Sequence, residues 1–181
     1  MSALSSARAF LAAIALLAAV PCLAKTSDVS PSGFLSTFRE EVDAKPADAW
    51  LAITQIGRWW SSEHTYSGDA ANLTLDAVAG GCWCERWKGN SVEHARVLHA
   101  LRGSSLRLEG GLGPLQAMAV NAVLTFSLAA AGERTTLTVT YRVRGDAEAH
   151  LDRIADGVDA VLGEQVRRLA ASLRTAGNGA R

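Results

Sequence analysis

Hydrophobic and polar residues alternate along several short stretches of the chain, a pattern typical of strands with one buried face. The alternation is clearest at 135–144, where Leu137, Val139, Tyr141 and Val143 are separated by threonines and arginines. Antiparallel sheets with one face in solvent contain such strands. The same reasoning predicts strands at 33–43, 73–79, 82–87, 92–101, 106–109 and 118–128, with a hairpin turn at Gly80-Gly81.

Helical spacing replaces the alternation in two regions. Pro46 suits the first turn of a short helix that ends at Gly57, and a second turn carries Trp59 and Trp60. Apolar residues at helical spacing predict a long amphipathic helix over 147–176. The order is therefore strand, two short helices, six strands and one long helix. It predicts an α+β domain in which the long helix lies across a single antiparallel sheet.

The first 24 residues are expected to be a secretory signal. The apolar run at 9–20 is shorter than the roughly 20 residues that cross a bilayer, and small residues follow it, with cleavage expected after Ala24. A retained membrane anchor and a lipidated Cys22 are the alternatives. The predicted divisions are a signal peptide at 1–24, a flexible segment at 25–32, one domain at 33–177 and a disordered tail at 178–181.

Composition narrows the possible partners. Removing the signal leaves 181 − 24 = 157 residues, enough for one domain with a substantial core. Lysines and arginines number 18 in the full chain, as do aspartates and glutamates. This balance, without a basic stripe, argues against nucleic acid as a partner. We expect a periplasmic or secreted protein with no membrane span after signal removal.

Two cysteines, Cys82 and Cys84, remain after the expected cleavage. An oxidising compartment permits a disulfide between them. Neighbours two apart in a strand bridge only if the strand is locally distorted, and Gly80-Gly81 could supply the slack. Free thiols packed as small hydrophobic groups and metal ligation are the other two possibilities.

Several motifs resemble the START-like, or SRPBCC, superfamily. They are Trp59-Trp60, His64 to Ala70 (HTYSGDA), Gly80 to Glu85 (GGCWCE), Gly111 to Gln116 (GLGPLQ) and Thr140 to Val143 (TYRV). The chain is most similar to the branch of polyketide cyclases/dehydrases and homologues of the heat-shock-protein ATPase activator, in a secreted bacterial subgroup. The resemblance implies a helix-grip fold, in which a curved sheet and the C-terminal helix enclose a cavity that often holds an apolar ligand.

A ligand cavity of a few hundred Å³ is therefore expected. The residues predicted to line it are Trp60, Trp83, Trp87, Leu112, Leu115, Ala122, Val139, Tyr141, Val158 and Leu162. Small residues, among them Gly157 and Gly163, would leave the space open. The alternative is that the tryptophans belong to the core. The expected function is the binding of a small apolar or amphipathic molecule, with no cofactor.

Glu85 is the leading candidate for chemistry. It shares a strand face with Trp83 and Trp87, so burial would raise its pKa and suit it to acid–base work. His94 on the next strand and His64 in the preceding loop could join it in proton transfer or metal-assisted chemistry of a cyclase, dehydrase or hydrolase type. Alternatively, Glu85 pairs with an arginine such as Arg96, and both histidines are ordinary hydrogen-bonded residues. No metal is expected, because the spacing matches no metal-binding signature.

Overall fold

Eight strands form one curved antiparallel sheet in the order β1-β2-β8-β7-β6-β5-β4-β3. The computed structural model describes residues 25–178, and side chains as far as residue 174. The predicted signal and the tail residues 179–181 lie outside the described residues. The strands are Lys25–Ser30 (β1), Gly33–Val42 (β2), Leu73–Leu75 (β3), Cys82–Trp87 (β4), Asn90–Leu101 (β5), Ser105–Glu109 (β6), Asn121–Ala131 (β7) and Arg134–Arg144 (β8).

Two α-helices complete the fold, Pro46–Thr54 (α1) and Ala155–Asn178 (α2). Pro46 begins α1 as predicted, because its missing N–H is not needed in the first turn. Helix α2 packs chiefly on β2 and also contacts α1. The core between helix and sheet is built from the inward residues of both layers, among them Phe34, Phe38, Leu124, Phe126, Tyr141, Val166 and Leu169. The α+β architecture predicted from the residue pattern is confirmed.

The long helix begins eight residues later than its apolar repeat predicts. Two 3₁₀ turns, Ala147–Ala149 and Leu151–Arg153, precede α2. They meet at His150, whose φ of 48° is left-handed and cannot continue a helix. The N–H of Leu151 donates to the Pro31 carbonyl at 2.9 Å, which ties this segment to the turn between β1 and β2.

Three further boundaries differ from the prediction. Residues 25–30, expected to be flexible, form β1 and pair with β2. Strand β3 ends at Leu75, because residues 76–81 fold into turns in which the Val78 and Gly81 N–H groups bond locally. The strand predicted from residue 118 begins at Asn121, because Gly113–Ala117 is a 3₁₀ turn that reaches Met118. In each case local hydrogen bonds decide where the strand begins or ends.

Candidate functional site

A cavity of about 860 Å³ lies between α2 and the loops that cover the β4–β5 side of the sheet. One wall is a single face of α2, and the others come from residues 60–66, from His94 on β5 and from residues 112–117. The lining residues are Trp60, His64, Thr65, Tyr66, His94, Leu112, Gly113, Pro114, Gln116, Ala117, Arg153, Ile154, Gly157, Val158, Val161 and Leu162. Its size lies within the range typical of small-molecule sites.

The helical wall of the cavity is apolar, and one of its positions has no side chain. The pairs Gly157-Val158 and Val161-Leu162 lie about one turn apart, so they share one face of α2. Ile154, whose carbonyl accepts from the Val158 N–H, extends this face just before the helix. A Cβ built on Gly157 would meet no atom within 4 Å, so this position is open. The prediction that glycines leave space in the helix holds for Gly157. Gly163 instead packs against the core.

Tyr141 holds the loop that closes the cavity. Its hydroxyl donates to the Gly110 carbonyl at 3.0 Å and accepts from the Leu112 N–H at 2.9 Å. Burial raises the pKa of Tyr141 well above its ordinary value, and the Leu112 hydrogen bond offsets only part of that effect. The hydroxyl therefore stays protonated and works as a fixed structural contact beneath Leu112.

Glu85 is fully buried and accepts hydrogen bonds from three directions. Its Oε2 atom lies 2.9 Å from His94 Nε2 and 3.1 Å from the backbone N of Tyr66, and its Oε1 accepts from the N–H of Ser67. Burial alone raises the pKa of Glu85, but the hydrogen bonds from Ser67, Tyr66 and His94 together outweigh it, and the pKa falls below its ordinary value. The expectation of a raised pKa was wrong, and Glu85 is a carboxylate at neutral pH.

His94 reaches Glu85 because β5 contains a bulge. Trp83 pairs with Ala95 and Cys84 pairs with Glu93, so His94 is the extra residue on β5. The bulge lets two consecutive residues, His94 and Ala95, both be buried, which regular alternation forbids. Desolvation lowers the pKa of His94, and the bond to Glu85 only partly opposes this, so the ring is neutral at pH 7.

Aromatic rings hold the imidazole from its sides. The Trp83 ring centroid is 5.4 Å from that of His94, and the Tyr66 centroid is 5.7 Å away. Trp60 in turn packs edge-on against Trp83 at 4.8 Å. This group of rings leaves the orientation of His94 little freedom.

His64 lies on the same cavity but does not join the Glu85–His94 pair. Its Nε2 is 3.5 Å from Glu164 Oε2 on α2, and its backbone carbonyl accepts from Trp60 Nε1 at 2.9 Å. Arg96, considered as a partner for Glu85, pairs instead with Glu93 at 2.6 Å. Of the three residues predicted as catalytic, the structure therefore brings two into direct contact and places the third on a neighbouring wall.

The residues predicted to line the cavity divide into two groups. Trp60, Leu112, Val158 and Leu162 border it. The other six do not. Trp83, Ala122, Val139 and Tyr141 are buried within the core, Leu115 is fully buried beside a smaller pocket, and Trp87 is half-buried at the end of β4. These positions face inward as their alternation requires, but other side chains separate them from the open space.

The entrance of the cavity is bordered by residues that were not predicted from the sequence. Tyr66 contributes its N–H to Glu85, and its hydroxyl lies 3.2 Å from Gln116 Oε1 and 3.4 Å from the Gly113 carbonyl oxygen. Ile154 and Val161 were detectable from the helical repeat, because they share the face of Val158. Nothing in the local pattern around Tyr66 signals its contact with Glu85, which lies 19 residues away.

Cys82 and Cys84 form a disulfide, with Cα atoms 5.4 Å apart. Of the three possibilities left open by the sequence, the bridged one is therefore correct. The irregular pairing opposite this pair accommodates it, although the extra residue is on β5 and not at Gly80-Gly81. Among the described residues, the group of potential metal ligands found comprises these cysteines and Glu93. The disulfide occupies both sulfur atoms.

Comparison with known proteins finds likeness at the level of structure. No family model matches the chain, and no curated protein matches it by sequence. Among solved structures, protein Ms6760 from Mycobacterium smegmatis has a TM-score of 0.60, with 15% identity over 84% of this chain and 97% of that one. CalU16 from Micromonospora echinospora has a TM-score of 0.56, with 14% identity over 85% and 83%.

A third similar structure is DynU16, a protein in the dynemicin biosynthetic locus. Its TM-score is 0.55, with 20% identity over 78% of this chain and 48% of that chain. The chain has the helix-grip fold. The helix-grip fold expected from the sequence resemblance is thereby confirmed. Within residues 25–178, no helix is long and apolar enough to span a membrane.

Proposed function

We propose that this protein is an exported binding protein for a small apolar or amphipathic molecule, held in the cavity between α2 and the loops that cover the β4–β5 side of the sheet. The observation that carries the proposal is the cavity itself. It measures about 860 Å³, and one of its walls is the apolar face of α2. The cavity is partly open to solvent, and a concave site that exposes mainly apolar surface is typical of a small-molecule binding site. The fold neighbour from a biosynthetic locus supports a small molecule as that ligand.

Two observations support export. The apolar run at 9–20 and the small residues up to Ala24 have the form of a secretory signal. The Cys82–Cys84 disulfide suits an oxidising compartment, since reducing cytosols keep most thiols free. Sequencing of the exported product should begin at Lys25. An intact Met1, or a lipid on Cys22, would contradict this part of the proposal.

Native mass spectrometry tests the binding function directly. The protein purified from the envelope of its own cells should carry a non-covalent adduct, which disappears when the same sample is denatured. A Gly157→Trp variant, purified in the same way, should carry no adduct because the indole enters the cavity. The absence of any adduct from the wild-type protein, together with failure to bind apolar probes, would remove the proposal.

Acid–base catalysis by Glu85 and His94 is the second candidate function. One observation favours it: a neutral imidazole held by a buried carboxylate borders the cavity. The molecule recovered by mass spectrometry can be incubated with fresh protein in deuterated water. Chemical change or deuterium uptake with the wild type, and not with His94→Gln, would establish catalysis. An unchanged molecule would leave binding as the function.

A further inference from the structure

We propose that His94 is the polar recognition group of the cavity, and that the bound molecule is an apolar compound carrying a neutral hydroxyl, such as a phenol or an enol. The hydroxyl donates a hydrogen bond to Nδ1 of His94. This inference rests on the proposed function, since it requires a ligand in the cavity. It adds the chemical class of that ligand and the residue that selects it.

The contact with Glu85 fixes the tautomer of the imidazole. Glu85 is a carboxylate and can only accept hydrogen bonds. Its Oε2 atom lies 2.9 Å from His94 Nε2, so Nε2 carries the proton and donates it. In the neutral ring, Nδ1 then holds a lone pair and is an acceptor. The carboxylate thus sets the side of the ring on which a ligand is recognised.

The acceptor atom, Nδ1 of His94, can be reached from the spaces beside the ring. Among the described residues, Nδ1 of His94 has no hydrogen-bond partner, and it is not one of the fully buried atoms without a partner. The ring borders both the main cavity and an adjoining pocket of about 410 Å³. Trp83 and Tyr66 pack beside the imidazole. A donor that reaches Nδ1 must therefore come from one of these two spaces.

The groups around His94 favour a neutral hydrogen-bond donor over a charged one. A carboxylate or phosphate would place its own lone pairs against the lone pair of Nδ1, with the Glu85 carboxylate directly behind the ring. The cations that line the main cavity are Arg153 and, when protonated, His64; the latter lies beside Glu164. An ammonium group would lose its hydration in a cavity that is largely apolar, while Glu85 is already satisfied by three donors. A hydroxyl avoids both costs.

A pair of matched probes tests the inference without knowledge of the natural ligand. β-Naphthol and β-methylnaphthalene have nearly the same shape, but only the naphthol donates a hydrogen bond. Their own fluorescence reports binding in a titration at pH 7.5. Wild-type protein should bind the naphthol about tenfold or more tightly than the methyl compound, the usual effect of one hydrogen bond to a desolvated partner. The His94→Leu variant should bind the two equally.

The outcomes separate this inference from the function on which it rests. Equal binding of both probes by the wild type would overturn hydroxyl recognition and leave the binding function intact. Binding of neither probe would count against the proposed function and this inference together. A preference that persists in His94→Leu would assign the hydroxyl to another residue. If His94→Leu does not fold, His94→Phe replaces it in the same comparison, because phenylalanine keeps a ring beside Trp83 and Tyr66 but has no acceptor.

Discussion

Replacing Gly157 with tryptophan should close the cavity while leaving the fold in place. Gly157 lies on the cavity face of α2, one residue before Val158 and three after Ile154. A side chain added here meets no protein atom within 4 Å of its Cβ and extends into the open space. Ala122, which was predicted to line the cavity, is instead buried in the core, where a larger residue would disturb the fold.

The expected effect on stability follows from the helix. Gly157 does not need a left-handed conformation, so alanine fits there without strain. A helical glycine costs about 0.5–1 kcal/mol relative to alanine. For a domain of this size, 1 kcal/mol changes Tm by about 2–4 °C. Gly157→Ala should therefore raise Tm by about 1–4 °C and leave most of the cavity open. Gly157→Trp should keep a cooperative transition near the wild-type Tm.

Thermal denaturation and Nile red fluorescence measure the two consequences separately. Gly157→Trp should weaken Nile red binding at least tenfold, about 1.4 kcal/mol. Gly163→Ala is the matched control on the same helix. Its Cβ would lie 3.3 Å from the Phe38 ring, away from the cavity, so probe binding should not change. Unchanged Nile red binding by a folded Gly157→Trp protein would refute the assignment of the cavity as the ligand site.

Three further predictions concern the Glu85–His94 pair and the disulfide. Glu85→Ala should lower the free energy of unfolding by about 2–3 kcal/mol in urea titrations, because it leaves buried donors without a partner; a loss below 0.5 kcal/mol would contradict the contacts described. Both pKa values are lower in the folded state. The stabilisation from a charged Glu85 is therefore present above its ordinary pKa of 4.5 and lost as the pH falls through the folded value. Because the pKa of His94 is lowered in the folded state, the protein loses stability as the pH falls below 6.5. The urea midpoint should therefore change less between pH 7.5 and 5 in His94→Gln than in the wild type. An equal change in the two proteins would count against this. Reducing the Cys82–Cys84 bond should lower the free energy of unfolding by only about 1.5 kcal/mol, because the bond closes a very short loop. Urea unfolding curves with and without reductant measure this difference, and a much larger loss would contradict the prediction.

Much of the fold could be predicted because the signal is repeated along the chain. Strand β8 alternates between apolar and polar residues along most of its length, so its predicted limits, 135–144, differ from the observed ones by a single residue. The inward direction of Glu85 followed from the same parity, since it lies two residues after Trp83. The start of α2 could not be found in this way. It depends on the left-handed backbone of His150, which an apolar repeat does not encode.

The chemistry of the site was harder to predict because it depends on contacts between distant segments. Burial of Glu85 was foreseen, but the sign of its pKa shift was not. That sign is set by donors in the loop at Tyr66 and Ser67, nearly twenty residues away, which no local pattern connects to β4. Only four of the ten residues predicted to line the cavity border it, for a related reason. The alternation of residues along a strand shows which side chains point into the domain. It does not show which of them are packed in the core and which border the cavity.

The bulge on β5 also bears on how such a site can arise. Within residues 90–96, the part of β5 that pairs with β4, His94 is the one position without a partner on β4. A change of residue type there leaves the alternation of the sheet untouched, whereas deletion of that single residue would restore regular pairing and remove the imidazole from Glu85. A single inserted residue is therefore enough to convert a regularly paired strand into one that brings His94 to Glu85. A protein with this sheet can therefore gain or lose the Glu85–His94 pair without a new fold.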